Sequence, residues 1–151
     1  MRSLAATDVL SGNLFCEWGS GFGVVACLAA MLDFDACGIE VEGELVDAAE
    51  RLAADFELPV EFVKGSFLPR DCDAGFHAGA EYAWLSLDLD QGASCAESAL
   101  CPDDFDVIFV YPWPDEERLI ADLFERYAGE KAVLVSYHGV DDFRTRRKPS
   151  S

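Results

Sequence analysis

The sequence predicts an α/β fold with a mostly parallel sheet, helices on both faces and an abbreviated C-terminal part. Short apolar segments alternate with amphipathic ones in the order β-α-β-α-β, and the order β-α-β returns after a long irregular stretch. Such alternation is typical of parallel strands, because these strands need crossover helices. Residues 105–111 are almost continuously apolar, as expected for a central strand that is buried on both faces.

The individual elements follow from local patterns. Five strands are predicted from short apolar or alternating runs, at residues 14–17, 37–42, 60–65, 105–111 and 132–138. A first helix at residues 24–32 is expected to bury Val24, Val25, Leu28 and Leu32. A second at residues 44–56 is expected to bury Leu45, Ala48, Ala49, Leu52 and Phe56. A third, capped by Asp115 and ended by Gly129, is expected to bury Leu119, Ile120, Leu123, Phe124 and Tyr127.

Length, charge and hydropathy restrict the class of protein. The chain has 151 residues, which is enough for one domain with its own core. Its formal net charge of −18 repels polyphosphate backbones, so we expect no nucleic-acid partner. No apolar run reaches the length of a membrane span, and no charged segment followed by an apolar one opens the chain. We therefore expect no membrane partner and a cytoplasmic location.

The six cysteines predict neither a disulfide scaffold nor a metal site. No secretion signal accompanies them, and three lie inside predicted strands or helices, where cysteine behaves as a small apolar residue. A zinc site can be imagined from Cys72, His77, Cys95 and Cys101. However, their C-x4-H and C-x5-C spacings differ from the tight C-x2-C pairs of common structural zinc sites. We therefore expect no bound metal.

A glycine-rich turn joins the first predicted strand to the first predicted helix. Residues 17–23 have the pattern E-x-G-x-G-x-G, which begins at Glu17 and contains Gly19, Gly21 and Gly23. Glycines allow a sharp turn and a close approach to a ligand, and the free N–H groups of the helix start face the same place. A dinucleotide-binding turn needs G-x-G-x-x-G, but Val24 occupies its third glycine position. A glycine turn that binds nothing is the other alternative.

A second acid lies at the end of the next predicted strand. Glu40 follows the first glycine by about twenty residues, where nucleotide-binding folds place a carboxylate for the ribose hydroxyls. A carboxylate suits this role because it can accept two hydrogen bonds from a vicinal diol. The alternative is a solvated acid in an acidic protein, a description that fits the neighbouring Glu42 and Glu44 better.

The glycine turn and Glu40 together resemble motif I and the following acidic position of the class I S-adenosylmethionine-dependent methyltransferases. The resemblance implies a Rossmann-like sheet and S-adenosyl-L-methionine as the cofactor. It also implies that Glu17, Ser20 and the three glycines of the turn hold the methionine part, and that Glu40 holds the ribose.

The resemblance extends to two positions near the adenine. It implies that Val41 flanks the adenine ring. In the family an acid commonly follows the third strand and contacts the adenine amino group. Ser66 occupies that position here, and its hydroxyl can accept the same hydrogen bond more weakly.

Residues 111–114, Tyr-Pro-Trp-Pro, follow the fourth predicted strand and resemble motif IV of the family. Some members carry Asn/Asp-Pro-Pro-aromatic there and grip the amine that is methylated. Because Tyr111 occupies the first position, methylation of a nucleobase amine is not supported. Tyr111 is instead a candidate for lining the methyl-transfer site, since an aromatic face favours a sulfonium or ammonium cation. Packing of Tyr111 and Trp113 within the loop is the alternative.

His138 is the second catalytic candidate. It lies at the carboxyl end of the fifth predicted strand, the side on which open α/β sheets bind ligands. There it could act as a base that removes a proton from the methyl acceptor. A histidine that is merely solvated in a strand-end loop is the alternative.

The predicted organisation is one domain at residues 1–140, with an irregular insertion at residues 68–104 and a basic flexible tail at residues 141–151. The family normally continues through a helix and two more strands after the fifth strand, so we expect that strand to leave an apolar edge. A second copy of the chain in a symmetric homodimer would cover this edge most simply. The alternative is that the insertion folds over it.

The sequence and the resemblance together predict a methyltransferase that uses S-adenosyl-L-methionine and acts on a small-molecule or protein acceptor. The alternative is a non-catalytic cofactor-binding domain, or a degenerate methyltransferase domain, that acts as a partner subunit.

Overall fold

The computed structural model describes residue 10, residues 12–67 and residues 101–150. These residues form one sheet, with the strands β1 (Leu14–Trp18), β2 (Asp35–Glu40), β3 (Glu61–Lys64), β4 (Val107–Val110), β5 (Val133–Tyr137) and β6 (Phe143–Arg147). The helices are α1 (Val24–Met31), α2 (Gly43–Asp55) and α3 (Glu117–Tyr127), and a 3-10 turn lies at Pro102–Asp104. No helix in these ranges is both long and apolar enough to cross a membrane.

The strand order is β3-β2-β1-β4-β5-β6. The first five strands run parallel, and β6 runs antiparallel to β5. Because β1 has β2 on one side and β4 on the other, the direction of winding changes between β1 and β4. Ligands of open α/β sheets bind in the crevice at such a point, outside the carboxyl ends of the strands. The predicted α/β class with a mostly parallel, Rossmann-like sheet is confirmed.

Helices cover both faces of this sheet. The face that carries Phe15, Phe109 and Val135 packs against α1. The second helix lies beside α1 and contacts Phe62 on β3. The opposite face, with buried side chains from β1, β2, β4 and β5, packs against α3. Burial on both faces explains why every residue of β4 is apolar.

The predicted buried face is right for α3 and only partly right for the other two helices, where Ala49 is buried and Val25, Leu32 and Leu52 are partly buried against the core. In α3 the buried residues are Leu119, Ile120, Leu123 and Phe124. In α1 they are Ala26, Cys27 and Ala29, whereas Val24 and Leu28 are about half exposed. In α2 they are Val46, Ala49 and Ala53, and Phe56 is exposed after the helix end. Every residue of α1 is apolar, so hydrophobic periodicity cannot distinguish its faces.

Two smaller predictions concern caps and cysteines. The N-cap of α3 is Glu116, so the predicted cap at Asp115 was wrong; Asp115 takes a left-handed backbone with φ 76°. The prediction of buried apolar cysteines is confirmed at Cys16, Cys27 and Cys37, which are free and buried.

The segment predicted as a flexible tail forms β6 instead. It pairs with β5 in a register that runs from Val133–Arg147 to Tyr137–Phe143, and all five of its residues are exposed. The prediction was wrong because FRTRR has no apolar pattern, and backbone pairing with β5 replaces burial as the reason for the strand. The edge of β5 is therefore covered within the chain, and no second copy is needed to cover it.

The predicted insertion at residues 68–104 falls mostly outside the described residues. The same holds for three of the residues considered for zinc, Cys72, His77 and Cys95. The final part of the insertion, residues 101–104, contains the 3-10 turn that leads into β4.

Candidate functional site

The turn after β1 owes its shape to three left-handed glycines. The backbone φ is 68° at Gly19, 54° at Gly21 and 75° at Gly23. Other residues pay about 1–2 kcal/mol for this conformation, which explains the alternating glycines. A Cβ on Gly23 would lie 2.5 Å from Cζ of Phe62, so packing requires this glycine as well. A Cβ on Gly19 or Gly21 would meet nothing within 4 Å, so the space beside these two glycines is open to a ligand.

Glu17 lies on β1, next to this turn, and is only 6% exposed. Its Oε2 accepts a hydrogen bond of 2.9 Å from the backbone N–H of Ala26, in the first turn of α1. No side chain at the N-cap residue Gly23 can do this, so Glu17 supplies the acceptor that a capping residue would provide. Burial raises the pKa of Glu17 to about 7; the Ala26 hydrogen bond opposes this effect and the nearby charge of Glu40 adds to it.

Glu40 connects the glycine turn to the loop after β2. Its Oε2 accepts a hydrogen bond from the backbone N–H of Gly21 at 2.8 Å, and its Oε1 accepts one from the N–H of Glu42 at 3.0 Å. Glu40 is buried, unlike Glu42, so the alternative of a solvated acid does not hold for it. A carboxylate offers about four lone-pair sites, so each oxygen of Glu40 can still accept another hydrogen bond.

Ser20 and Ser66 are buried polar residues at the same end of the sheet. The backbone N–H of Ser20 donates to the carbonyl of Ile39 at 2.9 Å, which holds the turn against β2. Gly38 makes room for this contact, because a Cβ there would lie 2.7 Å from Cβ of Ser20. The Oγ of Ser20 is buried without a hydrogen-bond partner in the described part of the chain.

The structure therefore brings most of the predicted cofactor residues to one place. Glu40 is hydrogen-bonded to the glycine turn at Gly21, and Glu17 is hydrogen-bonded to Ala26 at the start of α1, directly after the turn. Both acids lie at the carboxyl ends of their strands, β1 and β2. Val41 lies half-buried directly after β2, and Ser66 follows β3 by two residues. The ligand contacts expected of them stay predictions.

The two catalytic candidates lie on the other side of the switch point, after β4 and β5. Tyr111 is 63% exposed, and its ring centroid lies 5.2 Å from that of Tyr137. The ring of Tyr137 lies 4.8 Å from that of Phe143 on β6. Tyr111 and Phe143 are thus the exposed ends of a row of three rings whose middle member, Tyr137, is partly buried, and Trp113 is also exposed.

His138 is held by hydrogen bonds at both ring nitrogens, and its side chain is 10% exposed. Its Nε2 lies 2.8 Å from Oγ of Ser136, and its Nδ1 lies 3.0 Å from Oε1 of Glu117 on α3. A carboxylate only accepts hydrogen bonds, so we assign the proton to Nδ1; in the neutral ring, Nε2 then accepts the Ser136 hydroxyl. The alternative of a merely solvated histidine does not hold.

Neither partner of His138 was predicted from the sequence. The Ser-x-His spacing was an available signal for Ser136, because alternate residues of a strand point to the same face. No local pattern identifies Glu117, since it comes from a helix that precedes the strand.

A pocket of about 280 Å³ lies beside these residues. Among the residues that line it are Pro112, Glu117, Ser136, His138, Arg144 and Arg146. The pocket therefore connects the loop after β4, the end of β5, β6 and α3.

Comparison with solved structures identifies the fold. No family model and no curated protein sequence matches the chain. An RNA methyltransferase from Salinibacter ruber, crystallised with S-adenosyl-L-homocysteine, superimposes with a TM-score of 0.62 at 21% identity, over 99% of this chain and 90% of that one.

Two further structures with the same ligand are similar over a smaller share of their own length. A SAM-dependent methyltransferase from Thiobacillus denitrificans gives a TM-score of 0.53 at 16% identity, over 89% of this chain and 46% of that one. The Pyrococcus abyssi tRNA (uracil-54, C5)-methyltransferase gives 0.54 at 18% identity, over 89% of this chain and 26% of that one. Together with the strand order and the glycine turn, these likenesses show that the chain has the fold of the class I S-adenosylmethionine-dependent methyltransferases.

Proposed function

We propose that this chain is a methyltransferase that uses S-adenosyl-L-methionine. The observation that carries the proposal is a left-handed glycine turn with open space beside it, flanked by two buried carboxylates. Glu40 binds the N–H of Gly21 within the turn, and Glu17 binds the N–H of Ala26 in the helix that follows the turn. The three structural neighbours that were crystallised with S-adenosyl-L-homocysteine support the identity of the cofactor.

The hydrogen-bonding groups of the turn fit this cofactor. The remaining lone pairs of Glu40 suit two ribose hydroxyls. The buried hydroxyl of Ser20, which has no partner among the described residues, offers a contact to a polar ligand atom, and the open side of Gly19 and Gly21 allows close approach. In this proposal Val41 flanks the adenine and Ser66 contacts its amino group.

The electrostatic environment of Glu17 also suits a ligand with positively charged groups. Burial favours the neutral form of this carboxyl group, and a nearby cation would favour the charged form. A ligand that carries an ammonium and a sulfonium group supplies such a cation. An anionic group such as a dinucleotide pyrophosphate beside Glu17 would instead disfavour the charged form of this carboxyl group.

When bound, the cofactor supplies a methyl group on a sulfonium, and the protein contributes orientation and exclusion of water. We propose that the exposed ring of Tyr111 presents a face to the cationic centre. We propose His138 as the base for the acceptor. Since its Nε2 engages the Ser136 hydroxyl, it can remove the acceptor proton only after displacing this hydroxyl or through it.

The proposed acceptor is a small molecule or a protein. The net charge of −18 opposes the approach of a polyphosphate chain. One structural neighbour is an RNA methyltransferase, so RNA is the competing class of acceptor.

Incubation of the protein with methyl-tritiated S-adenosyl-L-methionine and cell lysate tests the proposal. We expect label in nuclease-resistant material, and much less with the Glu40→Ala variant. Label that ribonuclease removes would overturn the acceptor class. Cofactor binding without transfer to any fraction would favour the alternative, a non-catalytic or degenerate domain that serves as a partner subunit.

A further inference from the structure

The hydrogen bonds around His138 have the arrangement of an activated serine. Oγ of Ser136 lies 2.8 Å from Nε2 of His138, and Oε1 of Glu117 lies 3.0 Å from Nδ1 of the same ring. A nucleophile within hydrogen-bond reach of a base, with the base oriented by a third group, is the structural signature of nucleophilic catalysis. The order serine, histidine, carboxylate matches the roles of the hydrolase triads found on unrelated folds.

The surroundings supply the other parts that such a site needs. All three side chains line the pocket of about 280 Å³, so a small ligand can reach Ser136. Arg144 lies directly opposite Ser136 in the register of β5 and β6, and it also lines the pocket. Side chains of directly opposed residues share one face of the sheet, about 5 Å apart at Cβ. A guanidinium there can stabilise negative charge that develops next to Oγ.

Two carboxylates hold Arg144 in place but leave some of its N–H donors available. Its Nη2 donates to Oδ2 of Asp142 at 3.1 Å, and its Nη1 lies 3.6 Å from Oε2 of Glu117. A guanidinium carries five N–H donors, more than these two contacts use. Glu117 therefore orients both the base and the cation of the pocket.

We propose that Ser136, His138 and Glu117 form an acyl-transfer site that hydrolyses small carboxylic esters. Oγ of Ser136 attacks the ester carbonyl while its proton passes to Nε2 of His138. The bond to the alcohol breaks, and the alcohol leaves with that proton. Water then attacks the acyl-serine, gives its proton to Nε2, and releases the acid as the proton returns to Ser136. Arg144 faces the oxyanion, and Glu117 is a positioning residue that keeps the proton on Nδ1.

This site uses neither the glycine turn nor Glu40. It can therefore be tested on the whole chain without cofactor, and its outcome does not depend on the proposed methyl transfer.

A tagged fluorophosphonate is the first probe, because it reacts with an activated serine by forming a P–O bond and expelling fluoride. We expect the native protein to be labelled, the heat-denatured protein to be unlabelled, and mass spectrometry to place the label on Ser136. The His138→Gln variant keeps a hydrogen-bonding side chain but has no base. It should be labelled on the order of 100-fold more slowly, with an unchanged melting temperature.

Hydrolysis of p-nitrophenyl acetate is the second readout. The rate should fall to background in Ser136→Ala and His138→Gln. For the positioning residue, Glu117→Ala should lower both labelling and hydrolysis, while Glu117→Gln, whose amide oxygen can still accept from Nδ1, should restore part of each. If the hydrogen-bond network were purely structural, these variants would be less stable but would not show this order of labelling and hydrolysis rates. Three results would overturn the proposal. The first is a native protein that carries no label on Ser136, and the second is a His138→Gln variant that is labelled as fast as the native protein. The third is a native protein that is labelled but hydrolyses the ester no faster than His138→Gln.

Discussion

The carboxylate of Glu40 accepts the backbone N–H of Gly21 at 2.8 Å, and this hydrogen bond ties the end of β2 to the glycine turn after β1. A second hydrogen bond, from the N–H of Glu42 at 3.0 Å, fixes the other oxygen of the same carboxylate. One buried acid thus shapes the two loops between which the proposed ribose site lies. The position of Glu40 is therefore set before any ligand arrives, which reduces the ordering cost of binding.

Replacing Glu40 should weaken cofactor binding far more than replacing its neighbour. Glu40→Ala removes one to two hydrogen bonds to a charged group, worth about 1.5–3 kcal/mol each, so we expect the dissociation constant to rise by at least about 10- to 100-fold, the range for a single bond. Glu42→Ala is the matched control, since it removes an exposed carboxylate and keeps the backbone N–H that Glu40 binds. Calorimetry with S-adenosyl-L-homocysteine measures both. Equal effects, or a larger one at Glu42, would show that Glu40 is the wrong acid.

The raised pKa of Glu17 should make the stability of the protein depend on pH. Because the pKa rises from 4.5 to about 7 on folding, the folded state binds this proton more tightly. The stabilisation that Glu17 contributes should therefore be present at pH 4 and be lost as the pH rises from about 4.5 to about 7, by roughly 3 kcal/mol in total. Glu17→Gln should not show this loss because its amide does not titrate, and the amide oxygen can still accept the hydrogen bond from the N–H of Ala26.

Urea unfolding of wild type and Glu17→Gln at pH 4 and pH 8 isolates this contribution. The free energy of unfolding of the variant, relative to that of wild type, should be higher at pH 8 than at pH 4. Any effect of the amide itself is the same at both pH values and cancels in this comparison. A stability difference that is the same at both pH values would mean that burial does not raise the pKa of Glu17.

Alanine at two glycines of the turn should separate packing from ligand access. Gly23→Ala places a Cβ 2.5 Å from Phe62 and 2.8 Å from Ala49 in a left-handed backbone, so we expect a loss of roughly 2–5 kcal/mol in unfolding free energy. Gly19→Ala has the same backbone strain but no neighbour within 4 Å, and should cost only about 1–2 kcal/mol. Its main effect should be weaker cofactor binding, because the new methyl group occupies the open side of the turn. This separation would be contradicted if Gly19→Ala and Gly23→Ala were equally stable and Gly19→Ala bound the cofactor as tightly as wild type.

The covering of β5 by β6 predicts slow exchange of its backbone amides. In the complete chain, residues 133–135 lie between β4 and β6 and should be protected in hydrogen exchange. Deleting residues 141–151 should expose this edge, accelerate the exchange there and promote self-association that light scattering detects. Residues 15 and 16 of the central strand β1 serve as the internal control. Fast exchange at residues 133–135 in the complete chain would contradict the pairing.

The parts of the fold that the sequence predicted correctly are those with distinct local patterns. The glycine turn, the strand β4 and the buried face of α3 each have a pattern with a single physical explanation. The uniformly apolar α1 has no such pattern, and its buried face is set by the small side chains Ala26, Cys27 and Ala29. The strand β6 was missed for a related reason, since β5 supplies its partner and its own side chains bury nothing.

The candidate sites show the same limit. Glu17 and Glu40 could be found because each lies at the end of an apolar run, at a spacing that nucleotide-binding folds share. The backbone hydrogen bonds that now explain their burial could not be read from the sequence. The contact between His138 and Glu117 joins residues 21 positions apart, and only tertiary packing brings them together.

The identity of the cofactor is the central claim, and side-by-side calorimetry tests it most directly. S-adenosyl-L-homocysteine, S-adenosyl-L-methionine and NAD are titrated into the same preparation of the full chain under identical conditions. We expect one molecule of either sulfur ligand to bind per chain and NAD to give no measurable heat of binding, since Glu17 opens the turn and Val24 replaces the third glycine of the dinucleotide pattern. Tighter binding of NAD, or no binding of either sulfur ligand, would contradict the account.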